Sequence, residues 1–192
     1  SPQAILALAS YKALNEYDWC KLLFTTDHIQ EVFTRQVEEL NQEEKLKTDL
    51  PILEEITDSV SSEVRAQYEE SPYPRWVNLG LPFKPVSLLK IVDENKLKLK
   101  KSKITDAENL EILIAGCGTG QHSIGTATRF KGSKVLAIDL SLSSLAYAKR
   151  KTEELAIKNI EYMQADILNL RKLNKQFDII ESAGVLHHMD NP

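Results

Sequence analysis

The sequence predicts an α/β protein, a doubly wound parallel sheet preceded by a helical amino-terminal region. Three observations carry this. From residue 110 onward, short apolar runs alternate with helix-patterned stretches, the order that parallel strands with helical crossovers produce. The first run opens into a glycine-rich turn, Gly116-Cys117-Gly118-Thr119-Gly120. Before Gly80 there is no glycine, and apolar residues recur at helical spacing.

Composition limits the function classes. The chain has 192 residues, 42% apolar and 27% charged, with a net charge of −4 and two cysteines. That excludes collagen-like, disordered and disulfide-scaffold proteins. The mild acidity argues against a surface built for nucleic acid or anionic lipid. No apolar run approaches the roughly 18 residues of a membrane span, and SPQAILALAS lacks a basic region ahead of its apolar stretch. Cys20 and Cys117 stand far apart in no metal-ligand spacing, which predicts reduced thiols, a cytoplasmic setting and no metal.

Residues 1–85 read as helices. Ala4–Leu14 is the first, and Asp27–Gln42 the second, with a stripe of Ile29, Val32, Phe33, Val37 and Leu40. Pro51 suits the first turn of a third, carrying Ile52, Leu53 and Ile56. Ser62–Glu70 is a fourth, ended by Ser71-Pro72-Tyr73-Pro74-Arg75, because each proline removes a donor and disfavours helix in the residue before it. Residues 86–109 read as a connector with a solvated lysine cluster at 96–103.

Residues 110–192 carry the βαβ pattern. LEILIA at 110–115 is a buried parallel strand, Gln121–Phe130 a helix, KVLAID at 134–139 a second strand. A helix over 141–155 starts at a serine cap, and IEYMQ at 160–164 and FDIIES at 177–182 are further strands.

The chemistry gathers at the strand ends. Glycines between a strand and a helix let a ligand approach main-chain N–H groups. A dinucleotide fingerprint would place a third glycine where Gln121 or Ser123 stands, so the pattern is Gly-x-Gly-x-Gly instead. Asp139 lies 23 residues beyond Gly116, near the roughly 20-residue interval for a carboxylate that accepts from ribose hydroxyls. It also suits a helix start. Asp166-Ile167 closes the third strand, where a carboxylate could meet an adenine amino group and an apolar side chain its ring, or again simply begin a helix.

EILIAGCGTG, VLAIDLS, MQADIL and FDIIESAGVLHHM together resemble the successive motifs of class I S-adenosylmethionine-dependent methyltransferases, whose fold is Rossmann-like. AQYEESPYPRW resembles the segment before the catalytic domain of bacterial methyltransferases that carry tetratricopeptide repeats; no repeat is visible here. The resemblance implies S-adenosyl-L-methionine as cofactor. It puts Gly116, Cys117, Gly118, Thr119 and Gly120 around the methionine part, with Gln121 near its carboxylate or just behind the loop. It puts Asp139 on the ribose, Leu140 beside the adenine, Asp166 on the adenine amino group, Ile167 on the ring, and Ser182, Ala183 and Gly184 beside the transferable methyl.

His187 and His188 are candidate proton acceptors, although neighbours on a helix diverge by about 100 degrees, so only one of them can face a given site. Tyr73, Arg75 and Trp76 are candidates to cap the pocket, or form a packing turn. Cys117 reads as a small spacer. The expected activity is methyl transfer to an unidentified acceptor. An NAD-dependent oxidoreductase and a non-catalytic interaction module on a nucleotide-binding fold remain open alternatives. Since the resembled fold uses a larger sheet, the chain is expected to be a fragment: an amino-terminal half truncated after its fourth strand, prone to self-association and inactive alone.

Overall fold

The computed structural model describes residues 1–82, 84–96 and 109–189. Most of the lysine cluster of the connector falls outside the described residues. The chain divides into two compact units, Ser1–Thr48 and Asp49–Pro192. Residues 49–82, read from sequence with the helical preface, thus share a unit with the sheet.

The first unit is helical. It contains α1 (Pro2–Ala9), α2 (Gln30–Phe33) and α3 (Glu39–Thr48), the last two joined by a π-helical turn at Thr34–Glu38. Leu14, Cys20 and Val37 form its buried centre. The Gln36 amide fastens it at two points: Oε1 accepts from the Leu14 N–H at 3.0 Å and Nε2 donates to the Ala9 carbonyl at 3.1 Å. α1 stops well short of the expected Leu14. The Ser10 hydroxyl donates to the Ala7 carbonyl at 2.7 Å, the local competition by which serine ends helices.

The second unit holds a four-stranded parallel sheet in the order β3-β2-β1-β4. Its strands are β1 (Glu111–Ala115), β2 (Lys134–Asp139), β3 (Ile160–Gln164) and β4 (Ile179–Glu181). Ile112 pairs with Val135 on one side and Ile179 on the other. Ile112, Leu113 and Ile114 are inaccessible because crossovers cover both faces of a parallel sheet. Leu113, Ala115, Leu136, Ile138 and Ala165 pack as one cluster. The crossover helices are α6 (Gln121–Arg129) and α7 (Leu142–Glu154). The Ser141 hydroxyl caps α7 by accepting from the Ser144 N–H at 3.0 Å. Between β3 and β4 the connection is a 3₁₀ helix, Ile167–Leu173. This is a Rossmann-like arrangement, and the order reverses between β1 and β4.

Two further helices precede the sheet, α4 (Ser59–Glu70) and α5 (Leu88–Glu94). The helix expected at Pro51 is absent. Ile52 instead forms a parallel bridge with Gln164: the Gln164 N–H donates to the Pro51 carbonyl and the Leu53 N–H to the Gln164 carbonyl, both at 2.9 Å. The edge of β3 offers unpaired backbone groups, and Ile52 and Leu53 satisfy them in extended form.

Candidate functional site

The carboxyl ends of β1, β2 and β3 face a cavity of about 510 Å³, at the switch point where doubly wound sheets hold ligands. The loop after β1 is fixed from behind, since the N–H groups of Gly116 and Cys117 both donate to the Ile138 carbonyl at 2.9 Å. Asp139 braces it from the side. Its Oδ2 accepts from the Gly118 N–H at 2.7 Å and its Oδ1 from the Ser141 N–H at 3.0 Å. Burial pushes the Asp139 carboxyl above its ordinary range, opposed by backbone donors at Ser141, Gly118 and Leu140. At Gly118 a Cβ would meet nothing within 4 Å and φ is +51°, so bare backbone borders open space. Gly120 differs: φ is +88° and a Cβ would lie 2.6 Å from that of Ala148 on α7. It serves close packing between α6 and α7.

Asp166 caps the turn after β3, its Oδ1 accepting from the Leu168 N–H at 2.9 Å. Its Oδ2 is buried without a hydrogen-bond partner, as is the Ser144 hydroxyl, and both residues line the cavity. A buried unpaired acceptor costs about 1–3 kcal/mol, and such an atom calls for a donor from a ligand or from water.

The opposite wall comes from before the sheet. Asp58 caps α4 by accepting from the Ser61 N–H at 2.8 Å, and Val60, Val64 and Tyr68 of α4 line the cavity. At its other end Glu69 accepts from the Ser141 hydroxyl at 3.0 Å and the Ser143 N–H at 3.1 Å, placing a carboxylate at the amino end of α7. Next comes the proline turn, whose Tyr73–Pro74 peptide is cis. The Thr119 hydroxyl donates to the Pro74 carbonyl at 2.7 Å, and the Trp76 indole N–H donates to the Thr119 carbonyl at 2.9 Å. Tyr147 donates its hydroxyl to the Trp76 carbonyl.

The residues singled out from sequence separate into two groups. Gly116, Cys117, Gly118, Thr119 and Gln121 line the cavity, as do Asp139 and Leu140. So do Asp166, Ile167, Ala183 and Gly184. Ser182 does not: its hydroxyl donates to the Ala115 carbonyl at 3.0 Å and ties β4 to β1. Gly120 also lies outside the lining. Of the proline turn, Tyr73 lines the cavity. Trp76 is buried behind the loop and Arg75 lies over the Tyr147 ring at 4.6 Å, so the packing role belongs to these two. His188 lines the cavity; the ring of His187, outside the lining, lies against it at 4.1 Å. Burial raises the Cys117 thiol well above its ordinary pKa, which keeps it protonated and suits a spacer.

Sequence reasoning found α4 as a helix over Ser62–Glu70 but not its place in the cavity wall, and it passed over both the cap made by Glu69 and one histidine. His122 lines the cavity, and its Nε2 lies 2.8 Å from Glu181 Oε2. That oxygen also accepts from the Thr126 hydroxyl at 2.7 Å. The hydrogen bond from His122 is the largest influence holding the Glu181 carboxyl below its usual range, with Arg129 contributing. The signal was present: His122 and Thr126 stand four apart on one helix face, and Glu181 is a carboxylate ending an apolar strand.

Among the described residues there is no cluster that could hold a metal ion and no helix long and apolar enough to cross a membrane.

Comparison with known proteins gives consistent relatives. The profile of a family described as Methyltransferase domain matches residues 112–192. The release factor glutamine methyltransferase of Flavobacterium psychrophilum is 39% identical over 80 residues, 42% of this chain and 28% of that protein. The ubiquinone biosynthesis O-methyltransferase of Coxiella burnetii is 33% identical over 117 residues, 61% of this chain and 47% of that protein. Among solved structures, magnesium protoporphyrin IX methyltransferase from Synechocystis PCC 6803 with bound SAM superposes with a TM-score of 0.47 at 24% identity, covering 71% of this chain and 67% of that chain. The chain spans from 20% to 47% of the length of curated relatives it matches.

Proposed function

We propose that residues 112–192, which match a family described as Methyltransferase domain, form a class I S-adenosylmethionine-dependent methyltransferase domain, that the cavity binds S-adenosylmethionine and that the whole protein transfers its methyl group to an acceptor. The observation that carries the site reading is the buried, unpartnered Oδ2 of Asp166 at the cavity wall, an acceptor suited to the adenine amino group. Ile167 offers an apolar face for the ring. Asp139, already braced by two N–H donors, has remaining lone pairs for the ribose hydroxyls. The bare backbone at Gly118 accommodates the methionine part, with Gln121, Ala183 and Gly184 around it.

Charge supports the same choice. Asp58, Asp139 and Asp166 line the cavity, and no Lys or Arg is among its described lining residues. Such a surface suits a positively charged ligand better than the pyrophosphate of a dinucleotide. When bound, the cofactor supplies a methyl activated by a sulfonium. The chain's part is to align that methyl with the acceptor and, through Val60, Val64 and Tyr68, to exclude water.

Two finer readings follow. The free, buried Cys20 and Cys117 support a reducing, cytoplasmic setting. Ile180, 64% exposed on the outer strand of the described sheet, supports self-association of this chain, read out by light scattering.

Calorimetric titration with S-adenosylhomocysteine tests the main reading. The expected result is binding at tens of micromolar or tighter, weakened roughly tenfold by Asp139→Asn through loss of charge-assisted bonds. Absence of binding, or stabilisation by NAD instead, overturns it.

A further inference from the structure

The cavity has a second polar corner, at the start of α6, that methyl transfer as described leaves unused. His122 is the second residue of that helix and about a third of its side chain is accessible. Its Nε2 is engaged by Glu181 at 2.8 Å, which leaves Nδ1 as the ring's other hydrogen-bonding atom. Glu181 is itself held on a second side by the Thr126 hydroxyl and lies in the field of Arg129. A carboxylate placed this way fixes the orientation of the ring and offsets its charge when it gains a proton.

The surroundings make such a charge useful. Among the described residues, the other titratable groups lining the cavity are Asp58, Cys117, Asp139, Asp166, Tyr68, Tyr73 and His188. Of these, only the histidine can supply positive charge. Gln121, which precedes His122, and Gly116 to Thr119 border the same corner. An anionic group resting against the glycine loop therefore has two candidate counter-charges, His122 and His188. Among the described residues His122 is the one of the two that is braced by a carboxylate, Glu181, whereas the ring of His188 lies against that of His187.

We propose that His122, held by Glu181, pairs with the carboxylate at the methionine end of the cofactor, and that it takes one proton from solvent as the cofactor docks. The inference rests on the cavity being the cofactor site. No bond of the cofactor changes. The proton comes from water to Nδ1, and Glu181 keeps its negative charge throughout. Since the ligand carboxylate favours the protonated ring, capture strengthens as pH falls through the histidine range and weakens as pH rises through it, by at most about tenfold per unit for one proton.

The experiment is isothermal titration of the 192-residue chain with S-adenosylhomocysteine, which has the same carboxylate and amino group. It is run at about pH 6 and about pH 8.5, either side of an ordinary imidazole, in buffers of different ionisation enthalpy. Wild type should take up a proton on binding in the intervening range and bind more tightly at the lower pH. His122→Gln keeps a donor near Glu181 without the charge. It should bind roughly tenfold more weakly at the lower pH and lose the part of the pH dependence that wild type owes to His122. The ligand's own amino group contributes equally to both proteins. Glu181→Gln should also reduce proton uptake. Unchanged affinity and proton uptake in His122→Gln, or loss of the uptake in His188→Gln instead, overturns the inference and leaves the cofactor site standing. If His122→Gln melts well below wild type, His122→Asn provides the same comparison. A wild-type chain that binds no S-adenosylhomocysteine at either pH overturns both.

Discussion

The two walls of the cavity are built on different physics. On the strand-end side, Gly116, Cys117 and Gly118 are fixed by backbone bonds to Ile138 and by Asp139, all within the βαβ unit. On the facing side, α4 and the proline turn are fastened by a few polar contacts that cross long stretches of chain. Trp76 reaches Thr119 across 43 residues, and Glu69 reaches Ser143 across 74. The first wall inherits its rigidity from a sheet, whereas the second depends on individual anchors. A cavity made this way couples a precise half to an adjustable one, and each half should answer differently to mutation.

Removing the main anchor should have the largest effect. Trp76 is buried and packs with Ile124 and Tyr147, so Trp76→Ala is expected to cost about 3–5 kcal/mol in urea unfolding. A loss under about 1 kcal/mol, within the range of an ordinary surface substitution, would break the picture of an anchored wall. Trp76→Phe sharpens it, isolating the indole bond at about 1 kcal/mol.

The strand-end side is probed by Gly120→Ala. The added methyl collides with Ala148 and the backbone there is left-handed, so about 1–3 kcal/mol should be lost, read as a lower melting temperature. Full stability would mean that α6 can move away from α7 freely, and the strand-end side would not be the rigid one.

The smallest effect belongs to Glu69→Ala. It removes the acceptor for Ser141 and Ser143 at the amino end of α7 and should cost about 1 kcal/mol, the scale of a helix cap. Circular dichroism against urea would measure it, and a loss as large as that of Trp76→Ala would show that the cap, not the indole, is the principal anchor.

The same contrast explains what could be read from the chain. The bounds of β2 and β3 and the serine cap of α7 were legible because strand alternation and capping are local chemistry. So was the set Gly116, Gly118, Asp139 and Asp166 that the cavity gathers. Pro51 to Ile56 read as a helix because a proline and an apolar spacing looked like a helix start; the strand edge at Gln164, more than 100 residues away, decided otherwise. The helix α4 was legible, but its use as a wall and the cap made by Glu69 left no local mark, since the partners of Glu69, Ser141 and Ser143, lie in another element. His122 was overlooked because the carboxylate that orients it comes from β4.

The bonds between Thr119 and the proline turn also set an order in time. Thr119 and Pro74 are 45 residues apart, and synthesis runs from the amino end. Tyr73 to Trp76 thus emerge from the ribosome before the loop that receives them has been made. They must wait, with the indole of Trp76 still in water, until β1 and its glycine turn follow. Closing that span carries an entropic cost that the partner contacts must repay. The facing wall is made first and is seated only after the loop that receives it.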